Sequence, residues 1–277
     1  AARRYEPGCV LSNNAVERGN HTMHWHCHDL FLRMPPTATA GGIAIVIDVL
    51  RASTTIITAL ASGAEVVVPC RSIEEARAAA AHHPGALLGG ERGGVRIPGF
   101  DLGNSPLEYT PDRVAGRPVV ITTTNGTAAL AACQAARDVL VGAIVNCRSV
   151  AAVARRLADT AGAPAVHLVC AGTDGEITAE DVLAAGAILA AAARDPAADT
   201  DTLDAAAQTA RELFDHLAGE NSEGLPARIT TAFRTCRGGE NLLALGMEAD
   251  LAAAAAIDSL AVVPRLEGPG GGLVATR

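Results

Sequence analysis

The chain contains no lysine, so all 22 of its basic residues are arginine. That absence excludes chemistry that needs an ε-amino group: Schiff-base catalysis, a pyridoxal linkage, and a Walker-type phosphate loop, whose glycine-rich turn must be followed by Lys. Any phosphate handled here falls to arginine, backbone N–H groups or a metal. Aromatic residues are also scarce, at 3% of 277, while alanine fills roughly a fifth of the positions. The arginine and alanine biases read first as marks of a GC-rich genome. On that view Arg155 and Arg156 sit on a helix surface and Arg155→Lys is silent, whereas an arginine that handles an anion, as Arg51 is expected to below, does not tolerate lysine and Arg51→Lys is damaging.

The seven cysteines (Cys9, Cys27, Cys70, Cys133, Cys147, Cys170 and Cys236) form an odd set with no C-x-x-C pair, several of them inside apolar runs. Buried reduced thiols are the expectation. The first 40 residues lack a basic leader with an apolar core. The longest uncharged stretch, Pro118 to Ala136, carries four threonines, an Asn-Gly and a Gln, which rules it out as a membrane span. A cytoplasmic enzyme is therefore expected. With 30 acidic residues against 22 basic, the net charge of −8 argues against nucleic-acid or anionic-membrane partners. Small anions can still bind locally, and a homo-oligomer stays open.

From Gly42 onward, short apolar runs alternate with helical patterns. GGIAIVIDVL, AEVVVP, ALLGGE, RPVVITTT, DVLVGAIV and APAVHLVCAG read as six strands. Helices are expected over about Thr54 to Ala61, Ser72 to His82, Thr127 to Ala136, Ser149 to Ala161 and Thr178 to Ala193, with Ser72 and Glu75 forming a capping box. Strands that are apolar throughout, rather than alternating, have both faces covered. The expected fold is a three-layer α/β/α sandwich around a mainly parallel or mixed sheet, with a mostly helical C-terminal portion. Residues 1–40 read as an N-terminal extension, 41–194 as the α/β core, and 195–277 as a helical segment returning through late strands, SLAVVP and GGLVA, to a sheet edge.

In an open α/β sheet, ligands bind beyond the carboxyl ends of the strands. The first strand ends in Asp48, followed by Arg51, Ser53 and Thr54. The third leads into Glu91 and Arg92 and then a long loop with Asp101, Asn104 and Ser105. The fourth runs into Thr122, Thr123, Thr124, Asn125, Gly126 and Thr127, and the sixth into Gly172, Thr173 and Asp174. Asp48 could simply cap the next helix, but a strand-end carboxylate is also a catalytic or ligating group. A guanidinium such as Arg51 beside a helix start suits phosphate. The TTTNGT loop is either an ordinary turn or a phosphate cradle. Glu91, between glycine pairs, is placed to ligate. Glu180 and Asp181 occupy a helix's first turn, where the macrodipole alone favours acids and accounts for them at least as well as metal binding does. An oxygen-rich set, with Asp48, Glu91 and Asp174 as ligands, suits Mg²⁺.

The tract His21 to Asp29 holds four histidines and Cys27, with His24, His26 and His28 on one face of a strand. It resembles a soft-metal site. The competing explanation, which we favour, treats Met23 as a start and the preceding residues as upstream sequence.

The segments IAIVIDVLRASTTI, LLGGERGGVRIPGFDLGNSPLEYTP, VVITTTNGTAAL and VCAGTDGEITAEDVLAAGAI, in this order, resemble the 2-phosphosulfolactate phosphatase family. GGENLLALGMEADL and DSLAVVP are similar to that family's C-terminal pattern, so the resemblance runs from about Ile43 to Val263. It implies a Mg²⁺-dependent phosphatase that hydrolyses 2-phospho-3-sulfolactate to 3-sulfolactate and phosphate, a step toward coenzyme M. Asp48, Arg51, Glu91, Asn125 and Asp174 would then be catalytic. Arg51, Ser53, Thr54, Arg92, Asp101, Asn104, Ser105, Thr123 to Thr127, Gly172 and Thr173 would hold the substrate. Ala128 and Glu240 stand where the family pattern leads one to expect basic side chains. Two other readings remain: a family member acting on another phosphorylated hydroxy acid, and a non-catalytic binder of a small anion.

Overall fold

The computed structural model describes residues 22–163, 165–220, 223–268 and 271–276. Cys9 and His21 lie outside them. The strands are β1 (His24–His28), β2 (Ile43–Ile47), β3 (Val66–Cys70), β4 (Leu87–Arg92), β5 (Val95–Arg96), β6 (Pro118–Thr122), β7 (Asp138–Val141), β8 (Ala165–Cys170), β9 (Thr202–Leu203), β10 (Val263–Leu266) and β11 (Leu273–Thr276). The helices are α1 (Ala52–Ala61), α2 (Ile73–His82), α3 (Pro111–Val114), α4 (Gly126–Ala132), α5 (Cys147–Ala161), α6 (Ala179–Ala192), α7 (Ala205–Ala218), α8 (Leu225–Arg234), α9 (Arg237–Ala244) and α10 (Glu248–Ala254). The six strands expected from continuous apolar runs are all present, and every residue of β2 and β6 is buried. Among the described residues no helix is long and apolar enough to cross a membrane, and the six described cysteines are free and buried.

The strands form one mixed sheet in the order β5-β4-β6-β3-β11-β10-β7-β2-β8-β1-β9. Two blocks are internally parallel: β9, β1, β8, β2 and β7 on one side, and β3, β6 and β4 on the other. The antiparallel β10–β11 hairpin lies between them, each of its outer pairings held by a single residue pair, Arg265 with Leu140 and Leu273 with Val67. This corrects the expectation of a returning edge strand, since the chain's last strands close the middle of the sheet. Local pattern gives a strand's existence but not its neighbour, and the hairpin finds its place through contacts far away in sequence. Asp138, buried at the start of β7, anchors it by accepting from Arg265 Nε at 2.7 Å.

Three successive antiparallel steps make β3 run opposite to β7, so the carboxyl ends of the two blocks would face opposite edges of a flat sheet. Strands twist by roughly 20–25° per step. Across the five steps from β2 to β6 that accumulates to roughly 100–125°, which lets the carboxyl end of β2 approach those of β4 and β6. Helices α1 and α4 pack between the blocks: α1 touches β3, β7, β10 and β11, and α4 touches β2 and β3.

Alanine does specific work on the other side of the sheet. Helix α6 is buried along almost its whole length, and at Gly186 a Cβ would stand 2.0 Å from the Ala210 carbonyl oxygen of α7. The two helices touch backbone to backbone, which only small residues permit.

Residues 24–28, inside the stretch expected to be an N-terminal extension, are a strand paired in parallel with β8 and so belong to the sheet. Trp25 and Cys27 point into the core while His24, His26 and His28 share the outer face, as strand alternation requires. His28 Nε2 lies 3.2 Å from His167 Nδ1 of β8, and the His26 ring stacks on His167 at 5.0 Å. Among the described residues, no group of three His, Cys, Asp or Glu side chains is placed to hold a metal. The imidazoles have an electrostatic consequence instead. Burial, then His26 and His28, push His167 down from the usual histidine value to about 4, while Asp204 opposes the shift. The unfolded chain then takes up more protons than the folded one between about pH 6.5 and 4, so stability falls as pH drops through that window. The loss should be on the order of 1 kcal/mol, about 2–4 °C in Tm. Thermal melts of His167→Asn should show a shallower decline over the same range; an unchanged slope would exclude His167 as the cause.

Candidate active site

Asp48 leaves the end of β2 and begins the turn into α1. Its Oδ1 accepts from Ala52 N at 3.2 Å, so it does cap the helix. Its Oδ2 faces Gly126, where a Cβ would stand only 2.7 Å away, so the β6–α4 turn can approach this carboxylate only with glycine there. Burial, followed by the charges of Glu91 and Glu180, raises the Asp48 carboxyl to about 7 against the opposing Ala52 N–H. A capping carboxylate alone would not be buried among other acids.

Around it opens a cavity of about 510 Å³, lined by Asp48, Arg51, Glu91, Asn104, Thr124, Asn125, Thr173 and Asp174, with Leu50, Gly93, Gly94, Leu245 and one side of helix α9 completing the wall. Loops from β2, β4, β6 and β8 thus meet, as the strand-end argument anticipated. Their side chains divide into those that face the cavity with uncommitted atoms and those that hold the loops in place.

Glu91 belongs to the second kind. Its Oε1 accepts from both Thr124 N and Thr124 Oγ1, at 2.8 and 2.9 Å, and its Oε2 from Gly94 N at 2.7 Å. It ties the β4 turn to the β6 turn. Arg51, 3% exposed, donates to Asp250 Oδ2 at 2.7 Å, to Met247 Sδ and to Gly94 O. Three of its five donors are therefore committed. Asp174 sits at the rim, 59% exposed and 3.2 Å from Arg237.

Several residues expected to touch substrate are engaged with neighbouring backbone groups or side chains. Ser53 Oγ accepts from Asp48 N, and Thr54 Oγ1 donates to Val49 O. Thr123 Oγ1 accepts from Thr127 N while Thr127 Oγ1 donates back to Thr123 O. Arg92 donates to Glu91 O and Thr122 Oγ1, and Asp101 accepts from Leu88 N. Gly172 N donates to Asp181 Oδ2. Ser105 Oγ donates to Asp250 Oδ1 at 2.6 Å. None of these seven side chains lines the cavity, nor do Gly126, Gly172, Ala128 and Glu240.

Four more residues have a part in the site: Asp181 and Glu180, which the sequence explains equally well as helix-start acids, and Asp250 and Arg237, which it does not single out. Asp181 Oδ1 accepts from Val49 N as well, so one carboxylate fastens the β2 turn to the β8 turn. Burial, then Asp48 and Glu180, drive its carboxyl well above the usual range. Glu180 Oε1 accepts from Gly238 N, while its Oε2 is buried without a partner, and burial raises its carboxyl too. Asp250 and Arg237 come from the C-terminal helices. A capping pattern cannot tell a helix-start acid that faces solvent from one that faces a site, and Glu180, Asp181 and Asp250 all lie in first turns.

The fold and this cavity define an α/β protein with an oxygen-rich, predominantly acidic cavity at converging strand ends. The sequence pattern of 2-phosphosulpholactate phosphatase matches residues 32–269. A protein of Symbiobacterium thermophilum named "Probable 2-phosphosulfolactate phosphatase" is 43% identical over 83% of this chain and 93% of its own length. Proteins of the same name from Synechococcus sp. and Deinococcus radiodurans are 40% identical over 85% of this chain and 94% of their own, and 52% identical over 53% and 60%. The chain belongs to the 2-phosphosulfolactate phosphatase family, whose members are phosphoric monoester hydrolases.

Proposed function

We propose that the chain hydrolyses 2-phospho-3-sulfolactate to 3-sulfolactate and phosphate with Mg²⁺ bound, and that it serves coenzyme M formation in the cytoplasm. The observation that carries the Mg²⁺ requirement is a charge imbalance. The cavity is lined by Asp48, Glu91 and Asp174 against Arg51 alone, with Glu180 and Asp181 behind. A phosphorylated, sulfonated carboxylate would enter such a site against strong repulsion unless a cation accompanied it.

The donor atoms fit a hard cation. Glu180 Oε2 and Asn104 Oδ1 are buried oxygens without hydrogen-bond partners, and Asp48 Oδ2 is the carboxylate oxygen turned toward Gly126. Mg²⁺ is characteristically held by one or two carboxylates plus water and substrate oxygens, so it needs no cage of three acidic side chains. Of the three ligands expected from sequence, Asp48 fits best, since Glu91 is consumed by the loops and Asp174 by Arg237. Glu180 and Asn104 complete the set. Bound there, Mg²⁺ would neutralise phosphate charge and polarise the phosphoryl group.

Arg51 supplies its two remaining donors to the phosphate oxygens, and Asn125, whose side chain does not cap α4, presents its amide to the same anion. Water attacks phosphorus, the bond from phosphorus to the C2 oxygen breaks, and that oxygen leaves with a proton as the alcohol of 3-sulfolactate. Direct attack by water is preferred to an aspartyl-phosphate because Leu50 occupies the second position after Asp48, where haloacid-dehalogenase-type phosphatases carry a further Asp. Oxygen-18 entering Asp48 from solvent over repeated turnovers would reverse that preference.

Phosphate release should be measured for 2-phospho-3-sulfolactate and for phosphorylated hydroxy acids lacking the sulfonate, with Mg²⁺ and with chelator. The expected result is Mg²⁺-dependent release that is fastest with the sulfonated substrate. Equal or faster turnover of an unsulfonated acid would move the assignment to that substrate, and ligand-induced stabilisation without release would mark a binding protein.

A further inference from the structure

Asp250 lies in the first turn of α10, where an exposed acid would need no explanation beyond the helix dipole. It is instead 2% exposed, and both of its oxygens are turned away from its own helix. Oδ2 accepts from Arg51 NH1 at 2.7 Å and Oδ1 from Ser105 Oγ at 2.6 Å. Arg51 reaches on to Gly94 O at 2.8 Å, so a single carboxylate gathers the turn after β2, the β4–β5 turn and the loop carrying Asn104 and Ser105. Met247, at the N-cap of the same helix, adds its sulfur to Arg51 NH1 at 2.9 Å.

A buried ion pair is a poor device for stability. Removing two charges from water costs about as much as their attraction returns, and well-packed apolar residues often do as well. Its advantage is geometric. A planar guanidinium held at NH1 by a carboxylate and at NH2 by a carbonyl has a fixed direction for its remaining donors. Asp250 does not line the cavity, whereas Arg51 does. We propose that Asp250 is a positioning residue that orients Arg51 toward the phosphate of the substrate, and that this is why the C-terminal helices are joined to the strand-end loops. The proposal rests on the phosphatase reading for its substrate but not for its coupling of Asp250 to Arg51.

The full chain should be compared as wild type, Asp250→Asn, Arg51→Gln and the double variant. Two readouts apply: steady-state kinetics with the phosphorylated substrate, and the rise in Tm produced by inorganic phosphate, which does not require turnover. Asp250→Asn is expected to lower kcat/KM by about a hundredfold, with KM raised at least about tenfold, and to lose most of the phosphate-induced rise in Tm. The double variant should be no worse than Arg51→Gln, because without the guanidinium nothing remains for Asp250 to orient. Losses that simply add in the double variant, or an Asp250→Asn protein with wild-type KM and phosphate response, would overturn the proposal. Should Asp250→Asn fail to fold, Arg51→Met with Asp250→Leu removes both charges together. Restored folding without the phosphate response supports the proposal, and a retained response overturns it. A wild-type chain that binds phosphate but turns over no phosphomonoester would refute the phosphatase reading while leaving the coupling of Asp250 to Arg51 measurable.

Discussion

Asp48→Asn should lower kcat by at least about a thousandfold, about 4 kcal/mol of barrier, and, in chelator, should raise Tm rather than lower it. The two halves of this result have the same origin. Asp48 is 9% exposed with Glu91 and Glu180 as acidic neighbours, and its carboxyl is raised to about 7 from the ordinary aspartate value. For an acid the sign is clear: the folded chain holds a proton that the unfolded chain releases, so stability falls as pH climbs from about 4 through 7. Asparagine has nearly the same shape and can still accept from Ala52 N through its amide oxygen, but it carries no charge to be repelled. A residue that served only as a helix cap would give the reverse pattern, with a small loss of stability and nearly full activity. Activity reduced no more than fewfold, measured beside a thermal melt at pH 8, would remove Asp48 from the catalytic machinery.

That contrast also marks where sequence reasoning succeeds at this site and where it stops. Asp48, Glu91, Thr124, Asn125 and Asp174 all line the cavity because each follows a strand whose apolar run is unmistakable, and strand ends in such a sheet have a defined address. Polarity at that address does not say which way a side chain turns. Ser53, Thr54, Thr123 and Thr127 satisfy buried backbone groups next to the site, a need as pressing as ligand binding when a turn is dehydrated. Glu180 and Asp250 are hidden for the opposite reason. The local rule for helix starts explains them too easily, so nothing in their neighbourhood calls for a partner far along the chain. Strand β1 is legible only as a possible carrier of three histidines, and its place in the sheet is not, because its neighbours there, β8 and β9, lie more than a hundred residues away.

Arg155→Lys, expected to be silent from composition, should instead destabilise the protein by about 2–3 kcal/mol, lowering Tm by roughly 5–10 °C, with kcat per folded molecule unchanged. Arg155 is 6% exposed on α5, on the face turned away from solvent. Its guanidinium reaches Asp201 Oδ1 at 3.3 Å through NH1 and Asp201 Oδ2 through NH2, and its Nε lies 3.7 Å from Asp195. Asp201 in turn accepts from Met23 N and from Trp25 Nε1, at 3.2 and 3.1 Å, so the same carboxylate pins the chain entering β1 to the segment that leads into β9. The fork geometry is what fails on substitution. An ammonium on a shorter stem can meet one carboxylate but cannot span two, which leaves a buried acid and the Trp25 contact poorly held. Composition suggested that arginine here is merely what a lysine-poor chain uses on its surface. Burial makes it a requirement of the fold. Arg71→Lys supplies the comparison, since Arg71 is 73% exposed and faces Glu75 one helical turn away, and its replacement should move Tm by no more than about 1–2 °C. Equal melting temperatures for the two variants would return Arg155 to the genomic explanation.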